Sequence, residues 1–461
     1  MERGAADAGC AWAEGTFCFK TEICKAASPK RIPGANLFYQ DKNLHHASPA
    51  LAPAFRMPLA PCPLPPFTSP SSEILKMPSP PCHVVHFIYR LATGGLENVV
   101  VQLINHLPAT LFRHTVIALT EVDPDFARRI HNPSVEIIAL HKPPGQPFAL
   151  YPRVYGLLRQ LRPDVFHTCN LAALEFMPVA ALARVPLRVH AEHGLDTAEL
   201  GNKASIYLRL RKLYNPFVSR YVTVSIPLQS YLQNKVGVAP QRLSLVSNGV
   251  DTAQFRPVQP GDALPADYPF QPGRDWVVGT VGRQIEIKNP LLLVDAFVAL
   301  VRSGVQGSCR LRLAMVGDGP LRPAIAERMH AAGMQDRLWL PGVRSDVAEV
   351  LRALDCFVLP SLSEATSCTL QEAMATGLPI VVTDVGGNAD LLEHGACGSL
   401  VPSGDVQAMA AEMLRHFQGG PHQAQAMAAL AAARTHHAIG TTVHRYQDLF
   451  LGRMLRNSVQ P

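Results

Sequence analysis

A chain of 461 residues is too long for one hydrophobic core, and two or three domains are expected. At 48% hydrophobic and 17% charged it has the composition of a soluble globular protein, and no apolar run approaches the ~20 residues a helical bilayer crossing needs. The net charge of +6 suits anionic partners such as phosphates or acidic lipid, and is too small and dispersed for nucleic acid.

Residues 1–81 stand apart. They carry thirteen of the 40 prolines and no hydrophobic periodicity, so they are expected to be extended or disordered, with Met77 as the natural start of translation. The first residues lack the apolar core of a secretion signal, and a cytoplasmic protein is expected. The ten cysteines form no C-x-x-C pair and read as reduced thiols. Cys10, Cys18 and Cys24 are widely spaced and lack a nearby histidine, which argues against a metal site.

The first α/β domain is expected over 82–255. Val84 to Tyr89 is a buried strand, followed by Thr93-Gly94-Gly95-Leu-Glu97 and a helix from Asn98 to Leu107. A glycine pair between strand and helix is either a tight turn or a place where backbone amides meet an anion. Strands at His114–Leu119, Val135–Leu140, Val165–His167, Leu187–His190 and Tyr221–Val224 continue the alternation of a doubly wound parallel sheet. Asp123-Pro-Asp125 reads as turn chemistry rather than a metal pair.

His190-Ala-Glu192-His193-Gly194 ends one of these strands. Two histidines three apart leaving a strand rarely converge on zinc, so His193 is either a cleft residue or a half-buried structural one. The segment from Lys203 to Arg220 interleaves Lys203, Arg209, Arg211, Lys212 and Arg220 with Ile206, Tyr207, Leu208, Leu210, Leu213 and Tyr214. It is expected to be an amphipathic helix, resting on anionic lipid or simply solvated. Asn248-Gly249 predicts a positive-φ turn, and residues 256–275 read as the linker.

The second domain is expected over 276–440. Its first strand leads through Gly279 and Gly282 to Arg283, with Lys288 five residues on, a donor-rich element suited to a diphosphate. Gly317-Asp318-Gly319-Pro320 lacks the third glycine of a dinucleotide fingerprint. Cys356–Leu359, Thr369–Ala375 and Ile380–Thr383 form a β-α-β unit carrying Glu364 on its first loop and Glu372 in its helix. Taken alone, Glu364 is a solvated loop acid or a ligand, and Thr369-Leu-Gln-Glu372 also fits a capping box.

Together these strings resemble the family 4 glycosyltransferases. Glu364 and Glu372 fit their E-x7-E signature, followed by Glu372-Ala-Met-Ala-Thr-Gly377-Leu-Pro379 and Gly386-Gly387. The Gly94-Gly95 loop, Glu192-His193-Gly194, Asn248-Gly-Val-Asp251 and Gly282-Arg283 with Lys288 fit further motifs. The resemblance implies a GT-B fold, two doubly wound parallel-sheet domains facing a cleft, with a helix at 441–454 crossing back to the first domain. It implies a retaining transfer of sugar from a nucleoside diphosphate sugar to an acceptor hydroxyl, most like bacterial exopolysaccharide or surface-glycan enzymes, on a glycan or lipid-linked acceptor.

Under the same resemblance Glu364 binds the sugar, Glu372 the ribose, and Arg283 and Lys288 the diphosphate. Gly94, Gly95, Thr366, Ser367 and Thr369 complete the donor set, and His193 lies near sugar and acceptor. No cofactor or metal is expected, because basic side chains replace a divalent ion. Ala365 and Asp390 stand where the family usually has Gly and Glu, which leaves the sugar open. A GT-B epimerase and a non-catalytic scaffold are the alternatives.

Overall fold

The computed structural model describes residues 81–194, 204–419 and 422–452. The extended character expected of residues 1–80 and a start at Met77 fall outside the described residues. The first sheet contains β1 (Cys82–Ile88), β2 (Phe112–Ala118), β3 (Glu136–Ala139), β4 (Val165–Cys169), β5 (Leu187–Glu192), β6 (Arg220–Thr223) and β7 (Leu243–Leu245). All are parallel, in the order β3-β2-β1-β4-β5-β6-β7. Its helices are α1 (Gly95–His106), α2 (Pro124–Ala127), α3 (Tyr151–Leu161), α4 (Leu171–Leu174), α5 (Met177–Leu182), α6 (Ala204–Tyr214) and α7 (Ile226–Tyr231).

The second sheet contains β8 (Trp276–Val281), β9 (Leu311–Val316), β10 (Leu338–Gly342), β11 (Cys356–Leu359), β12 (Ile380–Thr383) and β13 (Ser399–Val401), parallel in the order β10-β9-β8-β11-β12-β13. Around it lie α8 (Pro290–Arg302), α9 (Arg322–Ala331), α10 (Val347–Arg352), α11 (Cys368–Thr376), α12 (Asn388–Leu391), α13 (Val406–Phe417) and α14 (His422–His436). This is the doubly wound pair anticipated from the alternation of elements. In each sheet the strand order reverses once, between β1 and β4 and between β8 and β11. Those two switch points open crevices at the strands' carboxyl ends, where ligands bind in such folds.

Helices cover both faces, so the central strands β1 and β4 are buried along nearly their whole length rather than alternating. Along β1, Val84 and Ile88 pack with Val100 and Phe112 on one face, and Val85 and Phe87 with Phe166 and Phe176 on the other. Within this core sits a row of histidines. His86 Nδ1 is 3.0 Å from His167 Nδ1, and His86 Nε2 is 3.0 Å from His114 Nδ1. Buried polar groups require partners, and these rings supply them to one another. Burial lowers all three pKa values, that of His114 to about 4 and that of His167 to about 3.

Past α14 the chain returns to the first domain. Val250 N–H donates to His437 O and Ile439 N–H to Val250 O, both at 2.8 Å. The last described helix, α15 (Ile439–Phe450), then buries Val443, Tyr446, Leu449 and Phe450 in the first domain's core. It begins two residues before the expected helix at 441–454 and ends at Phe450, short of the expected end.

Two sequence expectations are corrected here. Neither Asn248 nor Gly249 adopts a positive φ. Gly249 is needed for space instead, because a Cβ there would lie 2.7 Å from Ile439 Cα. The basic helix expected to reach Arg220 ends at Tyr214, with Arg220 opening β6, and Arg211 is buried rather than on an outer face. No helix among the described residues is long and apolar enough to cross a membrane.

Candidate active site

The donor-side residues gather at the β8/β11 switch point. Gly282, Arg283, Gln284, Lys288 and Pro360 line a narrow opening there. Arg283 is exposed, with no hydrogen-bond partner among the described residues. Lys288 Nζ donates to Glu364 Oε1 at 2.5 Å, and Ser361 Oγ donates to the same oxygen at 2.6 Å. Glu364 is therefore a nearly buried, ion-paired carboxylate, 9% exposed, and not a solvated loop acid. The Gly386-Gly387 turn makes room for it. Gly386 has φ +57°, and a Cβ there would fall 1.6 Å from Glu364 O.

Ser367 caps α11 by accepting from Leu370 N–H at 3.3 Å, and Thr369 Oγ1 lies 3.1 Å from Ser367 Oγ. Because the cap is Ser367, Thr369 is the second residue of the helix and Glu372 the fifth. The capping box expected from Thr369 to Glu372 is thus not formed, since Glu372 lies beyond the third position such a box uses. The Glu372 carboxylate makes no hydrogen bond among the described residues. Burial pushes its pKa up to about 8, against the opposing charge of Arg129 from the first domain. The amide end of α11 faces the same region, and its unpaired N–H groups favour an anion.

Thr366 is engaged elsewhere. Its hydroxyl donates to Val224 O of the first domain at 2.7 Å, so it fastens the seam between domains and keeps only its lone pairs for a donor sugar. Gln371 Nε2 donates to Asn248 O and to Ser247 Oγ, and Asn248 Nδ2 donates to Thr366 O at 3.4 Å. Gly94 and Gly95 stand across this seam, Gly95 O being 3.9 Å from Cys368 Sγ. The start of α1 already holds a carboxylate of the chain itself, for a Cβ on Gly94 would lie 2.1 Å from Glu97 Oε2. Burial raises the Glu97 pKa, and Arg90 and Arg283 act against that rise. The glycine turn therefore presents Glu97, rather than open amides, toward Arg283.

His193 follows β5. Its backbone N–H donates to Asn170 Oδ1 at 2.8 Å, while neither ring nitrogen has a hydrogen-bond partner. Burial brings its pKa down to about 4, partly offset by the adjoining Glu192 charge. Next to it, Gly194 faces Ala365 of the second domain, a Cβ on Gly194 coming 3.6 Å from the Ala365 methyl. His193 thus stands where the two domains meet, its buried imidazole beside the Asn248 side chain.

Sequence reasoning missed Asn170 and Gln371 as parts of this site, and took Glu192 and Asn248 only as motif residues without their partners. Those partners lie 19 to 124 residues away and leave no mark in local spacing. Among the described residues, no group of three or more His, Cys, Asp and Glu is placed to hold a metal ion.

Comparison with known proteins agrees with this layout. Residues 93–254 match the model described as Glycosyltransferase Family 4, and residues 275–418 the model described as Glycosyl transferases group 1. The Escherichia coli UDP-Gal:alpha-D-GlcNAc-diphosphoundecaprenol alpha-1,3-galactosyltransferase is 28% identical over 267 residues, 57% of this chain and 68% of the relative. A GDP-mannose-dependent alpha-mannosyltransferase of Mycobacterium tuberculosis is 27% identical over 360 residues, 74% of this chain and 88% of the relative. The Anabaena HepE structure in complex with UDP and glucose superposes with a TM-score of 0.67 at 18% identity, over 80% of this chain and 100% of that one, a likeness of fold. These relatives favour glycosyl transfer over the epimerase alternative. The chain belongs to the family 4 glycosyltransferases and is a nucleotide-sugar-dependent enzyme of GT-B fold.

Proposed function

We propose that this enzyme transfers its sugar with retention of configuration and without a divalent metal, in exopolysaccharide or surface-glycan assembly. The observation that carries the reading is the Lys288–Glu364 pair beside the exposed Arg283. Cleaving the glycosidic bond develops negative charge on the diphosphate, and Arg283, Lys288 and the α11 amides meet that charge where it forms. Once Lys288 turns to the diphosphate, Glu364 is released to accept hydrogen bonds from sugar hydroxyls. Glu372 then receives the ribose.

On this reading the acceptor oxygen bonds to the anomeric carbon on the face the phosphate leaves. The bonding pair passes to the diphosphate, and the acceptor's proton goes to the departing phosphate oxygen. On the same reading His193 lies beside the reacting hydroxyls.

The acceptor is read as a glycan or lipid-linked glycan, as in the name of the E. coli relative. A feature of α6 favours peripheral contact with an anionic membrane, on its cytoplasmic face. Ile206 and Leu213 are 54% and 61% exposed on the helix, Phe217 is exposed just beyond it, and Arg209 and Lys212 are exposed between them. Apolar rings and basic heads on one face suit a lipid surface.

The test is a panel of UDP- and GDP-sugars with EDTA present, the product's anomeric configuration being read by NMR. Transfer or slow hydrolysis that survives EDTA, with configuration retained, is expected. Epimerised nucleotide or no turnover defeats the reading. Activity lost to EDTA and restored by Mn²⁺ defeats its metal-free part, and an inverted product defeats retention.

A further inference from the structure

The turn that carries His193 is built on a buried charge pair the proposed chemistry does not use. Arg211 Nε donates to Glu192 Oε2 and Arg211 Nη2 to Glu192 Oε1, both at 3.0 Å, with the two side chains 1% and 0% exposed. The Tyr231 ring lies 5.7 Å from the guanidinium. On the other side His190 Nε2 is 3.4 Å from Glu192 Oε2, and His190 Nδ1 is 2.8 Å from Thr168 Oγ1. The carboxylate can only accept, so His190 Nε2–H donates to it. Burial would raise the Glu192 pKa, but Arg211 and these hydrogen bonds hold it at about 2.

A buried ion pair is no more stabilising than an apolar pair of the same volume, so stability alone does not account for it. Its location does. Glu192 is the last residue of β5 and directly precedes His193. Among the described residues the turn is then held at Glu192, which the Arg211 fork and His190 both bind, and at the His193 N–H, which donates to Asn170. Neither hold takes a ring nitrogen of His193.

We infer that Arg211 is a positioning residue for the transfer, which fixes the Glu192-His193-Gly194 turn through Glu192 and so sets the orientation of the His193 imidazole where the two domains meet. A planar fork binding both carboxylate oxygens fixes rotation as well as distance, which a lysine ammonium does not. The inference rests on the reading of His193 as a group at the sugar-transfer site.

The test follows hydrolysis of UDP-galactose, UDP-glucose and GDP-mannose, using whichever the wild type turns over, with Tm measured in parallel. Arg211→Met, Arg211→Lys and the double variant Glu192→Gln/Arg211→Met are compared. The double variant leaves a neutral pair of similar size, so Tm is expected to return close to wild type. Its kcat is expected to stay about tenfold to a hundredfold down, with donor KM little changed, because a misplaced group costs rate. Arg211→Lys should regain part of the rate.

A double variant that recovers both Tm and kcat overturns the inference and leaves the pair purely structural. Should the double variant not fold, Arg211→Lys decides: reduced kcat at wild-type Tm supports the inference, and wild-type kcat overturns it. A wild-type enzyme inert toward all three donors overturns instead the donor reading beneath it.

Discussion

Glu372 offers a test in which stability and binding move in opposite directions. Its carboxyl has a folded pKa of about 8 against an unfolded value of 4.5, because burial disfavours the ion more than Arg129 favours it. Below pH 4.5 both states carry the proton and the group costs nothing. As the pH rises from there the unfolded chain ionises first, so stability is lost progressively until the folded carboxyl also ionises near pH 8. At about 1.4 kcal/mol for each pH unit of separation, the loss reaches about 5 kcal/mol. Glu372→Gln is nearly isosteric and cannot ionise. Its Tm should lie within about 3 °C of wild type at pH 5 and exceed it at pH 8.5 by about 10 to 20 °C for a domain of this size. Melting curves of both proteins from pH 5 to 9 provide the measurement, and the difference between them isolates this one group. In the same variant the donor KM should rise while kcat changes little, because ribose contacts serve substrate and transition state alike. Parallel Tm profiles would refute the burial argument, and an unchanged KM would refute the ribose role.

The other predictions concern charges in different settings. Arg283→Ala should lower kcat about a hundredfold to a thousandfold with an unaltered Tm, since the side chain is exposed and acts on developing charge; wild-type turnover would end the mechanism. Replacing Arg209 and Lys212 together by Gln should weaken co-sedimentation with anionic vesicles by about 1 kcal/mol per charge, and unchanged binding would remove the membrane reading. Below pH 6.5 the unfolded histidines bind protons that buried His86, His114 and His167 refuse, so stability is intact above that pH and falls beneath it. The slope is up to about 1.4 kcal/mol per pH unit for each ring, and a denaturation midpoint equal at pH 7 and pH 5 would contradict it.

Much of this architecture was legible in the sequence because parallel strands are short apolar runs between turn residues. β11 and β12 begin and end where the hydrophobic pattern places them. β7 and β13 escaped notice, being three residues each, too short for any period to register. At the site, Glu364, Glu372, Arg283 and Lys288 stood out through motif spacing, yet the ion pair between Lys288 and Glu364 joins residues 76 apart and is a product of the fold. Arg211 misled because its neighbours Arg209 and Lys212 do face outward. One turn position separates a solvated charge from a buried one, and only the carboxylate waiting on β5 distinguishes them. Thr369 misled for a related reason, because Ser367 offers the same hydroxyl two residues earlier.

The return of α15 to the first domain bears on how the protein is made. Tyr446 and Phe450 lie over the imidazoles of His86 and His167, with ring centroids 5.6 to 6.4 Å apart. During synthesis the first sheet is complete in sequence by Leu245, but the helix that roofs this face emerges about 190 residues later. At ribosomal rates of roughly 5 to 20 residues per second, that is an interval on the order of 10 to 40 s. Throughout it the histidine row is open to water and free to take up protons, on a half-roofed domain that a chaperone can still grip. The docking of α15 therefore sets the moment at which the first domain's histidine row is sealed from water.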